Sequence, residues 1–186
     1  MKTSFDFPEG LKAEKKILFG WGRTKPVNCK VVKPESVEQL QELVRGASPR
    51  SLIPRGLGRS YGDAAQLDGG TVIELPAFDG ISLDSKAKLI TAGSGVSFDQ
   101  ILRVIVPKGF FLPVSPGTKN VTLGGAIAAD VHGKNHHVDG SFGSHVQHIK
   151  IVNGNGELQQ LTPNGNNTEA NAELFWATIG GMGSTG

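Results

Sequence analysis

The sequence predicts a glycine-rich mixed fold, α/β or α+β, built as two small lobes. Three observations predict it. Short apolar runs bounded by Pro and Gly alternate with stretches of helical spacing. Two capping-box spacings, Ser36 to Gln39 and Ser97 to Gln100, mark helix starts between those runs. Glycine fills 26 of 186 positions, about twice the average share of roughly 7%, and most of the excess falls in loops.

Residues 1–26 are mixed, with GWGRT (20–24) turn-like around one aromatic anchor. Cys29, Val31 and Val32 form an apolar run that Pro34 ends, which predicts a strand. A helix follows from Ser36, with Val37, Leu40, Leu43 and Val44 on one face and Gly46 at its close. Ser51–Pro54 predicts a second strand and Thr71–Leu75 a third, so the first lobe spans about 27–75 as a βαβ unit. Ile81–Ser85 and Lys88–Ala92 pair as a hairpin. Phe98, Ile101, Leu102 and Ile105 make a helical stripe stopped by Pro107, and Phe110–Val114 is short and extended. Thr122–Ala129 predicts a small-residue helix and Val146–Asn153 a strand. NGNGE (153–157) is a turn into Leu158–Thr162, 164–167 is a polar loop, and Asn171–Ile179 is the last helix. The second lobe therefore spans about 80–186, with a mixed, mostly antiparallel sheet. The glycine-rich end, GGMGSTG, directly after an apolar stretch is expected to mark a cut through a longer enzyme.

Several function classes are excluded. A formal charge of +2 is too small for an electrostatic nucleic-acid reader. One cysteine, Cys29, rules out a disulfide framework and a thiolate metal cluster, and its place on a predicted strand makes it a small core residue. No apolar run approaches the ~18 residues a membrane span needs, and no signal peptide is visible, so the expected location is cytoplasmic. Ser141 lies in GSFG, outside any nucleophile elbow. HGKNHH holds three histidines, but its spacing matches no familiar zinc pattern, and hydrogen-bonding loop histidines are expected at His136 and His137.

Two glycine segments remain. In the first, Arg55, Gly56, Leu57, Gly58, Arg59, Ser60, Tyr61, Gly62 and Asp63 follow a predicted strand directly. It is either a surface turn or an anion nest, with backbone N–H groups and the Ser60 hydroxyl as donors and the two Arg supplying charge. It is neither a P-loop nor a regular GxGxxG, since Tyr61 takes the place of the third glycine. The second runs from Pro116, Gly117 and Thr118 through Thr122, Leu123, Gly124 and Gly125 to the HGKNHH stretch. Thr122 before two glycines predicts a helix whose first N–H groups are free for a phosphate, with small residues that let a backbone or flat ring pack closely.

The order PRGLGRSYGD, PGTKNVTLGGAIAADVHGKNHH, GSFGSHV and ELFWATIGGMGSTG resembles the flavin domain of the vanillyl-alcohol-oxidase-type, or PCMH-type, FAD oxidoreductases, over about residues 18–186. The resemblance implies an α+β fold of two subdomains clasping FAD, with 1–26 as an N-terminal segment and a C-terminal substrate domain outside this chain. It implies Pro54–Ala64 as the pyrophosphate loop, with Gly117, Thr118 and Thr122–Gly125 continuing the cradle. His132, Gly133, Lys134 and Asn135 would lie along the ribityl chain and ring, His132 and Lys134 nearest the reacting end. Some relatives bond the ring through a histidine where Arg59 stands, so FAD is expected to be held non-covalently.

Within the family the chain is similar to the branch oxidising a polyprenyl-phosphate-linked pentose toward an arabinose donor, which works with a short-chain reductase. Peripheral contact with the membrane would follow from such a substrate. Other readings are an alditol or aldonolactone oxidase and a non-catalytic flavin-binding module. Lys134 could equally be a solvated loop lysine.

Overall fold

In the computed structural model the described residues are 7–23, 25–75, 78, 80–165 and 168–186. Thr24 of the turn-like GWGRT and the end of the polar loop at 166–167 lie outside them.

The first half is a four-stranded sheet in the order β1-β2-β4-β3. β2 (Val27–Val32) runs antiparallel to β1 (Ala13–Leu18) and parallel to β4 (Thr71–Glu74), and β3 (Leu52–Arg55) is parallel to β4. β4 therefore sits between the two strands that α1 (Val37–Gly46) connects. Alternation along β2 divides the core. Val32, Ile73 and Leu43 of α1 cluster on one face, and Cys29, Val31 and Val72 on the other. Burial raises the Cys29 thiol above its ordinary value, consistent with a core residue. Pro54 lacks a ladder donor and stands on the edge strand, where that is tolerated.

Both capping signals are used, in different ways. Ser97 accepts from the Gln100 N–H while the Gln100 side chain accepts from the Ser97 N–H, a complete box opening α2 (Phe98–Ile105). Ser36 accepts from the Gln39 N–H, but the Gln39 side chain accepts from Glu35 N at 2.9 Å and donates to the Glu9 carbonyl at 3.1 Å. Gln39 thus ties the N-terminal segment to α1.

The second half pairs its strands as two separate antiparallel ribbons, β5–β6 (Ile81–Asp84, Leu89–Ala92) and β7–β8 (Ile149–Val152, Leu158–Leu161). Its main core gathers on α2: Phe98, Ile101 and Ile105 meet Val96, Val114, Ala126 and Phe142. α3 (Leu123–Ala128) and a short α4 (His136–Asp139) follow. α5 (Glu169–Thr178) buries Phe175 against Ile151 and Leu161. α1 reaches this half, since Gln41 Nε2 and Arg45 NH2 both donate to the Gly156 carbonyl in the β7–β8 turn.

Some expectations shift. β1 was not anticipated in the mixed N-terminal stretch. Val146–Asn153 contracts to β7, because Val146 is used to close a 3-10 turn over 142–145. Phe110–Val114 joins no sheet; Leu112 and Val114 point into the α2 core instead. His136 and His137 lie on α4 rather than in an open loop.

Candidate functional site

The loop from Gly56 leaves the end of β3 and turns back on the N-terminal segment 19–22. The Trp21 N–H donates to the Ser60 carbonyl at 2.8 Å and the Gly22 N–H to the Tyr61 carbonyl at 3.2 Å. Gly20 lies so close that a Cβ there would collide with the Gly62 carbonyl. Arg55, expected to lend charge to an anion, is used differently. Its NH1 donates to the Ala65 carbonyl at 2.7 Å and its NH2 to the Phe19 carbonyl at 3.0 Å, which ties the exit of the loop to the N-terminal segment. Gly58, in the left-handed region at φ 63°, leaves space that the Arg55 guanidinium fills. Burial pulls the guanidinium below its usual value while Glu74 acts the other way, and it stays a cation.

Arg59 reaches across the site. Its guanidinium lies 4.2 Å from the Trp21 ring centroid and its Nε donates to the Asn120 carbonyl at 3.0 Å. Arg23, Arg55 and Arg59, with Phe19, Trp21 and Leu57, line a pocket of about 180 Å³. None of the three arginines forms an ion pair among the described residues. The backbone N–H groups of Leu57 through Gly62 likewise meet no acceptor among the described residues. Free N–H donors beside arginines that no carboxylate neutralises suit a multiply charged anion.

The two glycine segments meet. A Cβ on Gly56 would strike the Thr122 hydroxyl, and Arg59 holds the carbonyl two residues earlier, so the loop lies against the start of α3. That helix start is not an open anion site, contrary to the sequence expectation. The Leu123 N–H donates to Val96 O at 2.8 Å, the Gly124 N–H to Ser94 O at 2.8 Å and the Gly125 N–H to Thr122 Oγ1 at 3.1 Å. The glycines serve close packing instead: a Cβ on Gly124 would sit 2.9 Å from that of Ser94. The other end of α3 packs on a backbone too, with the Gly180 N–H donating to Ile127 O and the Met182 N–H to Ala128 O.

Beyond α3, Asp130 takes a left-handed φ of 40° and its carboxylate accepts from the Gly143 N–H at 2.9 Å. This turns the chain into His132–Asn135. The Asn135 side chain donates to the Pro113 carbonyl at 3.0 Å and to Asp139 at 2.7 Å, and Gly133 packs against the Ser115 carbonyl. His132 and Lys134 are exposed. The His132 ring meets His136 edge-on at 5.2 Å, and His136 Nδ1 lies 3.0 Å from the Gly133 carbonyl. Gly117 and Thr118 lie on the intervening loop, where the Thr118 hydroxyl accepts from Asn120 N. The fold thus joins 56–59 to 120–122 and 133–135 to 113–115. No hydrogen bond, ion pair or ring contact among the described residues links His132 or Lys134 to residues 54–64. Nor do three or more His, Cys, Asp or Glu side chains among them gather into a group able to hold a metal. No helix of these residues is long and apolar enough to cross a membrane.

Sequence reasoning missed the segment 19–22. Its signal was present in GWGRT, but nothing local shows that its N–H groups face a loop forty residues on.

Comparison with known proteins gives a consistent picture. The model of an FAD-binding domain matches residues 30–162. The decaprenylphosphoryl-β-D-ribose oxidase of Mycolicibacterium smegmatis is 48% identical over 99% of this chain. An uncharacterized oxidoreductase from the fasciation locus of Rhodococcoides fascians is 28% identical over 84% of it, and cytokinin dehydrogenase 10 of Oryza sativa 26% over 75%. The chain spans 39%, 35% and 26% of the lengths of these three relatives. With the matched region running from within β2 to just past β8, through both glycine segments, the chain belongs to the FAD-binding domain family.

Proposed function

We propose that this chain is the cofactor-holding part of an FAD-dependent oxidoreductase acting on a CH–OH group, with a polyprenyl-phosphate-linked pentose as substrate. The observation that carries the cofactor reading is the loop Leu57–Gly62, whose six N–H groups meet no acceptor among the described residues, lie beside Arg59 and are pressed against the start of α3. Those donors fit a diphosphate, and the glycines leave its oxygens room to approach the backbone. Pro54–Ala64 would hold the diphosphate, Gly117, Thr118 and Thr122–Gly125 would wall the cofactor, and His132–Asn135 would lie along its reacting half. FAD would supply the acceptor for a hydride leaving the carbinol carbon, giving a ketone.

The pentose reading is supported by the 48% identity to the decaprenylphosphoryl-β-D-ribose oxidase over nearly the whole chain. A short-chain reductase would complete the epimerisation toward an arabinose donor, and a polyprenyl substrate would bring the protein to a membrane surface. Lys134, exposed and in no ion pair among the described residues, would hold the substrate or balance charge that builds on the ring. We further assign 27–75 and 80–186 as the two lobes of the domain.

The natural polypeptide carrying this chain is expected to purify yellow. Acid precipitation should leave the colour in the supernatant as FAD, because Arg59 cannot form the ring bond a histidine forms. Recovery of FMN or a nicotinamide alone would overturn the cofactor reading. Under anaerobic conditions decaprenylphosphoryl-ribose should bleach the flavin; bleaching by xylitol or an aldonolactone in its place would reassign the substrate. Lys134→Ala should slow that bleaching much more than it lowers FAD content, while His132→Ala should disturb both. Unchanged bleaching in fully loaded Lys134→Ala would return this residue to the solvated loop.

A further inference from the structure

We propose that the N-terminal segment Phe19–Gly22 is a positioning strap for the anion-binding loop, aiming that loop's N–H groups at the cofactor diphosphate. The inference rests on the FAD reading of the loop and adds to it residues that lie before the matched region 30–162.

The argument starts from peptide geometry. The Ser60 carbonyl and the Tyr61 N–H belong to one trans peptide and point in opposite directions, as do the Tyr61 carbonyl and the Gly62 N–H. The strap engages both carbonyls, through Trp21 N and Gly22 N. Holding them on the strap side sends the paired N–H groups to the other side, where no acceptor among the described residues meets them. A loop free of the strap could rotate these peptides and offer carbonyl oxygens to an anion, which would repel it.

The strap is itself fixed at its first residue, and the chain is held again at Lys25, beyond its end. Arg55 holds the Phe19 carbonyl, and Gln66 Nε2 donates to the Lys25 carbonyl at 2.8 Å. Gln66 is 7% exposed, so this bond lies inside the protein, and its Oε1 meets no partner among the described residues. Between the anchors the Trp21 ring carries the Arg59 guanidinium while Arg59 Nε grips Asn120 O. The strap, the loop and the start of α3 are thereby joined through one side chain.

The test compares FAD with riboflavin, which shares the ring and ribityl chain but has no diphosphate. Both are titrated into the cofactor-stripped natural polypeptide carrying this chain. Wild type should bind FAD far more tightly than riboflavin; equal affinity would overturn the diphosphate reading itself. Trp21→Ala should weaken FAD about tenfold or more and leave riboflavin within about twofold, and Trp21→Phe should restore most of the loss. Gly20→Ala deletes no side chain but pushes the strap off the Gly62 carbonyl, and it should show the same selective loss. With the wild-type preference intact, an unchanged FAD-to-riboflavin ratio in Gly20→Ala overturns the strap. So does an equal weakening of both ligands. Should Trp21→Ala fail to fold, Gly20→Ala carries the decision.

Discussion

The two glycine segments of this protein look alike in sequence and differ in which backbone groups their partners occupy: carbonyls in the first, N–H groups in the second. Gly56–Gly62 is fixed from outside through its backbone: carbonyls accept from Trp21 and Gly22, and Arg55 closes its exit. The stretch 117–135 is fixed by its own side chains, Thr122 on Gly125 N, Asp130 on Gly143 N and Asn135 on Pro113 O, together with the Leu123 and Gly124 N–H groups on Val96 and Ser94. Beneath the second stretch lies the Phe98–Phe142 core, with ring centroids 5.2 Å apart. Among the described residues the N–H groups of Leu57–Gly62 meet no acceptor, whereas those of Leu123, Gly124 and Gly125 at the start of α3 are all taken. Glycine content alone therefore says where a backbone approaches something closely, and only the pattern of outside partners says whether that something is a ligand.

The comparison breaks most severely at the core. Phe98→Ala should cost about 3–5 kcal/mol in denaturant unfolding and take FAD binding with it, since α3 loses its seat. A loss below about 1 kcal/mol would mean the second segment does not depend on that core. Next, Asp130→Ala should destabilise by about 1–3 kcal/mol, because the Gly143 N–H loses its acceptor; Asp130→Asn should recover part of it. Thr122→Ala should cost about 1 kcal/mol through the lost cap and Thr122→Ser very little. If thermal melts rank Thr122→Ser with Thr122→Ala, packing of the methyl against Gly56 outweighs capping.

The smallest effect concerns Asp99, whose hydrogen bonds from Lys119 and Arg103 hold its carboxyl below the ordinary value. A lowered folded value means stability that is present above the unfolded carboxylate value, near 4, and lost as pH falls through the folded one. Asp99→Asn should flatten the fall in melting temperature below about pH 4 and change little at pH 7. An undiminished acid slope in that variant would show the pairs to be idle.

Much of this was legible in the sequence. Val31, Ile53 and Val72 announced their strands, and Ser97 with Gln100 announced α2, because the partners of those signals sit within a few residues. β1 was hidden since AEKKIL carries charges on an edge strand and leaves Ile17 65% exposed, so no apolar alternation betrays it. The occupied start of α3 was hidden because its acceptors, Ser94 and Val96, lie more than twenty-five residues back. The Arg55 guanidinium could not be foreseen bonding the Phe19 and Ala65 carbonyls, since composition records a charge and not its direction. At the site, residue types at 54–64 were readable and the strap that orients them was not.

The strand order β1-β2-β4-β3 has a consequence for how the chain is made. When β2, α1 and β3 have left the ribosome, β3 has no neighbour to pair with, because its place in the sheet is defined by a strand not yet synthesised. β4 must slide into the gap between two older strands, a parallel pairing across a distance in sequence that is slow to find. The anion loop lies in the connection that this late arrival pulls shut. Until then a nascent chain has glycine loop but no cradle, and free cofactor would gain nothing by binding it before β4 is in place.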